Sequence, residues 1–168
     1  MVHRWPPWQV TSLKYGLDSL ADLVDKSHEK AIDPEIQAWL SRLLVIRSCG
    51  YLEQVVTEIF RDYVRNKSGG LVRAFAHSWL ERSRNPSPDN LTELVGRFDS
   101  NIGNEFTAML DGDDGRLRRE VGFLVDRRNR IAHGLSEGIT QSKALQLKDI
   151  ACELADWFIL RFNPERGN

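Results

Sequence analysis

The chain has 168 residues, of which 41% are hydrophobic and 28% are charged, a composition typical of a globular protein and not of a disordered one. Its formal net charge of −1 excludes a strong overall basic field, so any contact with nucleic acid must depend on a local cluster of cations. The length is sufficient for one hydrophobic core. We therefore expect one domain over residues 1–168, with residues 1–10 and 163–168 as flexible ends.

Apolar runs are short throughout the sequence. The first eight residues contain none long enough for a signal peptide, and no segment approaches the roughly 18 uninterrupted apolar residues of a membrane span. Cys49 and Cys152 have no metal-ligand spacing, which favours small core residues in a reducing compartment over a disulfide. We expect a cytoplasmic protein with no membrane partner, no metal site and no cofactor.

Apolar residues recur at steps of three and four through most of the chain, as they do in α-helices. A first helix is predicted from Thr11 to Ala31. Asp33-Pro34 is a typical N-cap followed by proline in the first turn. A long second helix is therefore predicted from there to Asn66, ended by Gly69-Gly70.

The second half of the chain predicts shorter elements followed by two clear helices. A helix over Leu71–Arg82 is followed by a loop over Ser83–Asp89, within which Ser87 caps a helix that runs from Pro88 to Phe98. One or two turns are predicted over Asn104–Leu110, and a loop over Asp111–Gly115. The two clear helices are Arg116–His133, ended by Gly134, and Thr140–Phe162. The fold class predicted is all-α, a bundle of long antiparallel helices with short accessory helices.

The helix predicted over Arg116–His133 carries an arginine on its apolar face. Its apolar positions step by four, three and seven, which predicts a buried stripe: Leu117, Val121, Leu124 and Ile131. Arg128 fills the gap in that stripe. A buried guanidinium is costly unless it has a partner or binds an anion. Arg128 is therefore either a structural arginine paired with Glu53 or Asp126, or a phosphate-binding residue.

His133 lies where the same helix should end. Taken alone, it is a simple capping residue before Gly134, but an imidazole also exchanges protons near neutral pH and suits general acid–base catalysis. Asn129, four residues earlier, lies beside it and could orient the imidazole or a phosphate. Five residues turn an ideal helix by about 140°, so Arg128 and His133 of one chain should not share a face. Either the last turn loosens, or a site combines residues from two subunits.

The sequence from Arg128 to His133 (RNRIAH) resembles the signature of the HEPN (higher eukaryote and prokaryote nucleotide-binding) superfamily. That signature is an arginine, a polar residue that is often asparagine, a short gap, and a histidine near a helix end. The segment Arg47–Glu53 (RSCGYLE) is similar to a segment of the RiboL-PSP subgroup of HEPN domains. The later elements are also similar in order and spacing, so the resemblance covers approximately residues 31–162.

This resemblance implies an HEPN-like helical bundle that forms a homodimer, with two motifs facing each other across one cleft. It implies a metal-independent endoribonuclease in which the ribose 2′-OH attacks the adjacent phosphodiester, with RNA as substrate. The catalytic residues would be Arg128 and His133, and Glu53 would hold Arg128 in place. Many enzymatic members are toxins or phage-defence effectors, so an antitoxin or sensor partner is also implied.

Other arginines can support such a site. Arg47 falls within an apolar pattern and is interpreted as a core ion pair or, alternatively, a second phosphate contact. Arg127 and Arg130 belong to a basic cluster on the motif helix that would suit RNA binding, although a solvated helix face is the alternative. Two other functions stay open: a non-catalytic HEPN module that binds a nucleotide, RNA or a partner protein, and a helical interaction domain in which the motif is accidental.

Overall fold

The computed structural model describes residues 5–27, 32–80, 85–135 and 138–165. Within these ranges the chain forms six α-helices and no strand, which confirms the all-α prediction. The helices are α1 (Trp8–Ser27), α2 (Pro34–Lys67), α3 (Gly70–Leu80), α4 (Pro88–Phe98), α5 (Ser100–Ala132) and α6 (Gln141–Arg161). None of the helices in the described part is long and apolar enough to cross a membrane.

Short capping motifs set several of these boundaries as predicted. The Asp33 side chain accepts a hydrogen bond from the Glu35 N–H at the start of α2, and Ser87 accepts one from the Asn90 N–H at the start of α4. Such side chains satisfy N–H groups that have no partner within the first turn of a helix. The start of α1 was predicted three residues too late, because the carbonyl of Pro7 already accepts from the N–H of Val10. The predicted ends at Ala31 and Arg82 lie outside the described residues.

The segment between α4 and α5 differs most from the prediction. Only one or two turns were expected over Asn104–Leu110, but α5 begins at Ser100 because Asp99 accepts from the N–H groups of Asn101 and Ile102. The expected loop over Asp111–Gly115 agrees with a break inside α5, since the backbone is not helical at residues 112–115 and φ is positive at the last three of these positions. Residues 116–132 then continue as the motif helix.

The long helix α2 lies at the centre of the bundle and packs against α1, α3, α5 and α6. Its buried residues Val55, Ile59 and Phe60 join a core cluster that also includes residues of the other five helices. Cys49 and Cys152 are both free and buried, in agreement with the prediction that they are core residues. The C-terminal part of α5 is therefore held against a helix that is itself fixed on several sides.

Candidate active site

Arg128 lies at the edge of the packed interface between α5 and α2. Leu117, Val121 and Leu124 of the same helix are 6%, 0% and 0% exposed, as the stripe predicted. The Arg128 side chain is 27% exposed, and its Nη2 lies 3.5 Å from Oε2 of Glu53 on α2. The structure thus brings together the two residues that the sequence paired, and leaves part of the Arg128 side chain exposed.

Cys49 is a second α2 residue at this position, and the sequence assigned it only to the core. Its side chain is fully buried. Burial raises the pKa of the Cys49 thiol, while a hydrogen bond from Arg128 and its positive charge act in the opposite direction. Cys49 and Glu53 are four residues apart and lie on one face of α2. That spacing was the available signal that both contact the same arginine, which they hold from two consecutive helical turns.

The end of α5 fixes the position of His133. The His133 N–H donates to the Asn129 carbonyl at 3.0 Å, the Gly134 N–H to Ile131 at 3.0 Å, and the Leu135 N–H to Arg130 at 3.0 Å. This is the Schellman arrangement, in which the residue after the cap adopts a left-handed conformation, and Gly134 has φ +73°. Gly134 therefore has the capping role predicted for it, and the His133 side chain is exposed.

The two candidate catalytic residues diverge within one chain. The last turn of α5 keeps its helical hydrogen bond at His133, so it does not loosen before Gly134. Arg128 faces α2, while the exposed His133 is about 140° further around an ideal helix. Of the two options that the sequence left open, the loosening of the last turn is not observed.

The supporting residues on α5 occupy different surroundings. Asn129 is half-buried and contributes its carbonyl to the cap of His133. The Arg127 guanidinium lies over the ring of Phe123, 4.6 Å from its centroid, a position suited to a cation–π contact. Arg130 is exposed. Arg130 is thus the more accessible of the two arginines for which an RNA contact is predicted.

The other cations of this region are largely neutralised by partners in the same chain. Nη2 of Arg116 lies 2.9 Å from Oε1 of Glu153, and Nε of Arg118 lies 2.6 Å from Oδ1 of Asp111. Nζ of Lys143, on α6, lies 2.7 Å from Oε2 of Glu120. Because each pair cancels much of its own field, the positive potential along α5 is weaker than its arginine content indicates.

Arg47 is placed differently from the core ion pair that the sequence favoured. Its side chain is exposed, and it has no ion pair with any described residue. Its Nη2 is 4.0 Å from the position that a Cβ on Gly16 would occupy, so Arg47 points along α1. The ion-pair interpretation was wrong because this side of α2 faces a groove and not a packed core.

Candidate metal ligands are not gathered at the site. Among the described residues, no group of three or more His, Cys, Asp or Glu side chains could hold a metal ion. The functional groups at Arg128 are its own guanidinium, the Glu53 carboxylate and the Cys49 thiol, and the imidazole of His133 lies on another face of α5.

Comparison with known proteins gives one family match. The model of the RiboL-PSP-HEPN family matches residues 11–160, a range that includes Glu53 and the whole segment from Arg128 to His133. It also includes α1 from residue 11 onward, which the resemblance drawn from the motifs did not cover. No curated protein and no solved structure matches the chain.

Proposed function

Since the chain belongs to the RiboL-PSP-HEPN family, we propose that it is a metal-independent endoribonuclease whose site is shared between two copies of the chain. One observation supports this most strongly. Arg128, on the stripe that should be apolar, is held by Glu53 and Cys49 but remains 27% exposed. An arginine oriented in this way can bind a phosphate without reorganising the fold.

The proposed reaction uses the 2′-OH of the RNA itself as nucleophile. His133 accepts the proton of that hydroxyl as the bond from O2′ to phosphorus forms and the bond from phosphorus to O5′ breaks. The departing O5′ takes up a proton from solvent and His133 later releases its own proton to solvent, so the products are a 2′,3′-cyclic phosphate and a 5′-OH. Arg128 stabilises the additional negative charge on the phosphorane-like transition state. No oxidant or metal is required for this balance of atoms and electrons.

The remaining residues support this pair. Glu53 fixes the direction of the Arg128 guanidinium, Asn129 orients the imidazole or a phosphate, and Arg127 and Arg130 contact the RNA backbone. Arg47, which is exposed and has no ion pair with a described residue, is available for a second phosphate contact. Because the net charge is −1 and the other α5 cations are largely paired, nonspecific RNA binding should be weak, and cleavage should depend on a specific substrate.

A toxin or defence role follows from the same proposal. A nuclease that cleaves cellular RNA would need to be held inactive, so an antitoxin or a sensor protein is a proposed partner. A non-catalytic module that binds a nucleotide, RNA or protein is the alternative function, and the test below separates the two.

The proposal predicts cleavage of labelled RNA in excess EDTA by the wild-type chain, with mapped products that carry 2′,3′-cyclic phosphate and 5′-OH ends. His133→Ala should cut at least about 10²-fold more slowly, since a positioned acid–base group contributes about 10²–10⁴-fold. The variant should fold normally because His133 is exposed and the cap is made by backbone groups.

Either of two results would contradict this assignment. Equal cutting by wild type and His133→Ala would mean that the nuclease site lies elsewhere or that the activity is a contaminant. If neither protein cuts total cellular RNA, the non-catalytic module becomes the better description.

A further inference from the structure

The N-terminal half of α2 presents an apolar stripe to solvent. Ile36, Trp39 and Leu43 are 53%, 58% and 44% exposed, and they recur at steps of three and four, so they share one face of the helix. The stripe continues through the half-buried residues Ile46 and Gly50. Clustered exposed apolar side chains of this kind mark an interaction surface.

A groove between α1 and α2 continues this stripe. It has a volume of about 190 Å³ and is lined by Leu13, Leu17, Ile46, Arg47, Gly50, Tyr51 and Gln54. A Cβ placed on Gly50 would meet no atom within 4 Å, so packing within the chain does not require a glycine there. Because glycine allows another backbone to approach closely, the groove can receive a helix of another molecule.

The stripe adjoins the candidate active site. Cys49 and Glu53 both contact Arg128. Gly50 directly follows Cys49 and lies about one helical turn before Glu53. A second exposed apolar patch, on Leu71 and Phe75 of α3, follows the far end of α2. At 1.5 Å per residue that end is about 20 Å from Glu53 along the helix, so the α2 stripe is the nearer of these two patches to Glu53.

The charges beside the stripe are self-complementary. Arg47 is exposed and has no ion pair with a described residue, and the Glu53 side chain is 19% exposed. Consider two α2 helices packed antiparallel about a two-fold axis level with Gly50. Arg47 of one copy is then level with Glu53 of the other, and the contact repeats by symmetry. Arg128 of each copy contacts Cys49 and Glu53, on either side of Gly50, so it lies near the same height along α2 as the two-fold axis.

We propose that the α2 face, formed by Ile36, Trp39, Leu43, Ile46 and Gly50, is the surface on which a second copy of this chain docks antiparallel. The need for a second copy rests on the proposed function, because Arg128 and His133 diverge within one chain. Docking on the α2 face excludes water from the apolar stripe and sets the two motifs at one level of the dimer.

Sedimentation of the full chain tests this surface. The wild type should be a dimer at micromolar concentration, and both Gly50→Arg and Leu43→Asp should raise the dimer dissociation constant at least about 100-fold. Arginine at residue 50 fills space that is open in the monomer but needed by the partner helix. Gly50→Arg should keep the helical circular dichroism of the wild type, since arginine is more favourable than glycine within a helix by about 1 kcal/mol.

Two matched variants serve as controls. Gly122→Arg also adds a side chain at a helical glycine with no atom within 4 Å of the new Cβ, and Phe75→Asp removes a 75% exposed ring on α3. Both should remain dimeric. The proposal is overturned if the two α2-face variants stay dimeric, or if Phe75→Asp dissociates the dimer instead.

The docking surface and the proposed RNA cleavage are tested by different results. A monomeric wild type that cleaves RNA would remove both the docking surface and the shared site, and would leave only the endoribonuclease activity. A dimer that Gly50→Arg dissociates but that never cuts RNA would support the surface and remove the proposed function.

Discussion

Replacing Arg128 with alanine should reduce RNA cleavage by about 10²–10³-fold, the usual effect of removing one group that stabilises transition-state charge. The loss should fall mainly on kcat, because the guanidinium is held by Glu53 and Cys49 before RNA arrives. Arg128→Lys should recover only part of the rate, since an ammonium keeps the charge but not the planar fork that matches a phosphate. Single-turnover cleavage at saturating RNA measures the effect.

Arg116→Ala is the matched control for this substitution. Arg116 is on the same helix, but its side chain is 43% exposed and pairs with Glu153 at the surface. A surface pair of this kind contributes little to stability, so cleavage should stay within about twofold of wild type. An Arg128→Ala protein that is folded by circular dichroism and cuts at the wild-type rate would show that Arg128 is structural.

Phe158→Ala should destabilise the fold by about 3–5 kcal/mol, the usual cost of removing a fully buried aromatic ring. Phe158 is 0% exposed, and its ring centroid lies 5.9, 5.3 and 5.1 Å from those of Phe60, Phe106 and Trp157. It therefore links α2, α5 and α6. Because total stability is commonly only about 5–15 kcal/mol, the urea midpoint should fall sharply.

Leu160→Ala is the comparison for Phe158→Ala. Leu160 is two residues further along α6 and is 56% exposed, so its truncation should change the free energy of unfolding by less than about 0.5 kcal/mol. Equal effects of the two substitutions would mean that the aromatic cluster does not stabilise the bundle as described.

The helices were predictable wherever their boundaries depend on local chemistry. Asp33, Ser87 and Gly134 satisfy backbone groups within a few residues of themselves, so their neighbours in the sequence are enough to assign them. The start of α5 was missed because Asp99 ends α4 through its N–H and begins α5 through its carboxylate. A single residue with both roles leaves no visible loop in the sequence.

The tight turn between α4 and α5 has a reason that depends on packing. A Cβ at Gly103 would lie 2.9 Å from the Cα of Gly96, closer than a side chain tolerates. The two helices can approach this closely only because residue 103 has no side chain, whereas a Cβ on Gly96 would meet no atom within 4 Å. Gly103 does not indicate by itself that Gly96 is its neighbour.

The candidate site was predictable in part. The gap that Arg128 fills in an apolar stripe identified it, and Glu53 was a natural partner for a buried guanidinium. The neutralisation of Arg116 was not visible, because its partner Glu153 is 37 residues away in the sequence. The exposure of Arg47 was also missed, since an apolar pattern cannot distinguish a packed face from an open groove.

A mixed dimer gives the most direct test of a nuclease site shared between two protomers. Arg128→Ala and His133→Ala chains, co-expressed with different tags and purified through both, form heterodimers. Such a heterodimer has two sites. In one site both residues are replaced by alanine, and in the other the intact Arg128 of the His133→Ala chain meets the intact His133 of the Arg128→Ala chain. We expect each variant alone to be inactive and the heterodimer to recover about half of the wild-type rate, because one of two symmetry-related sites is intact. A heterodimer as inactive as the two variants would contradict a shared site and place Arg128 and His133 of the same chain together.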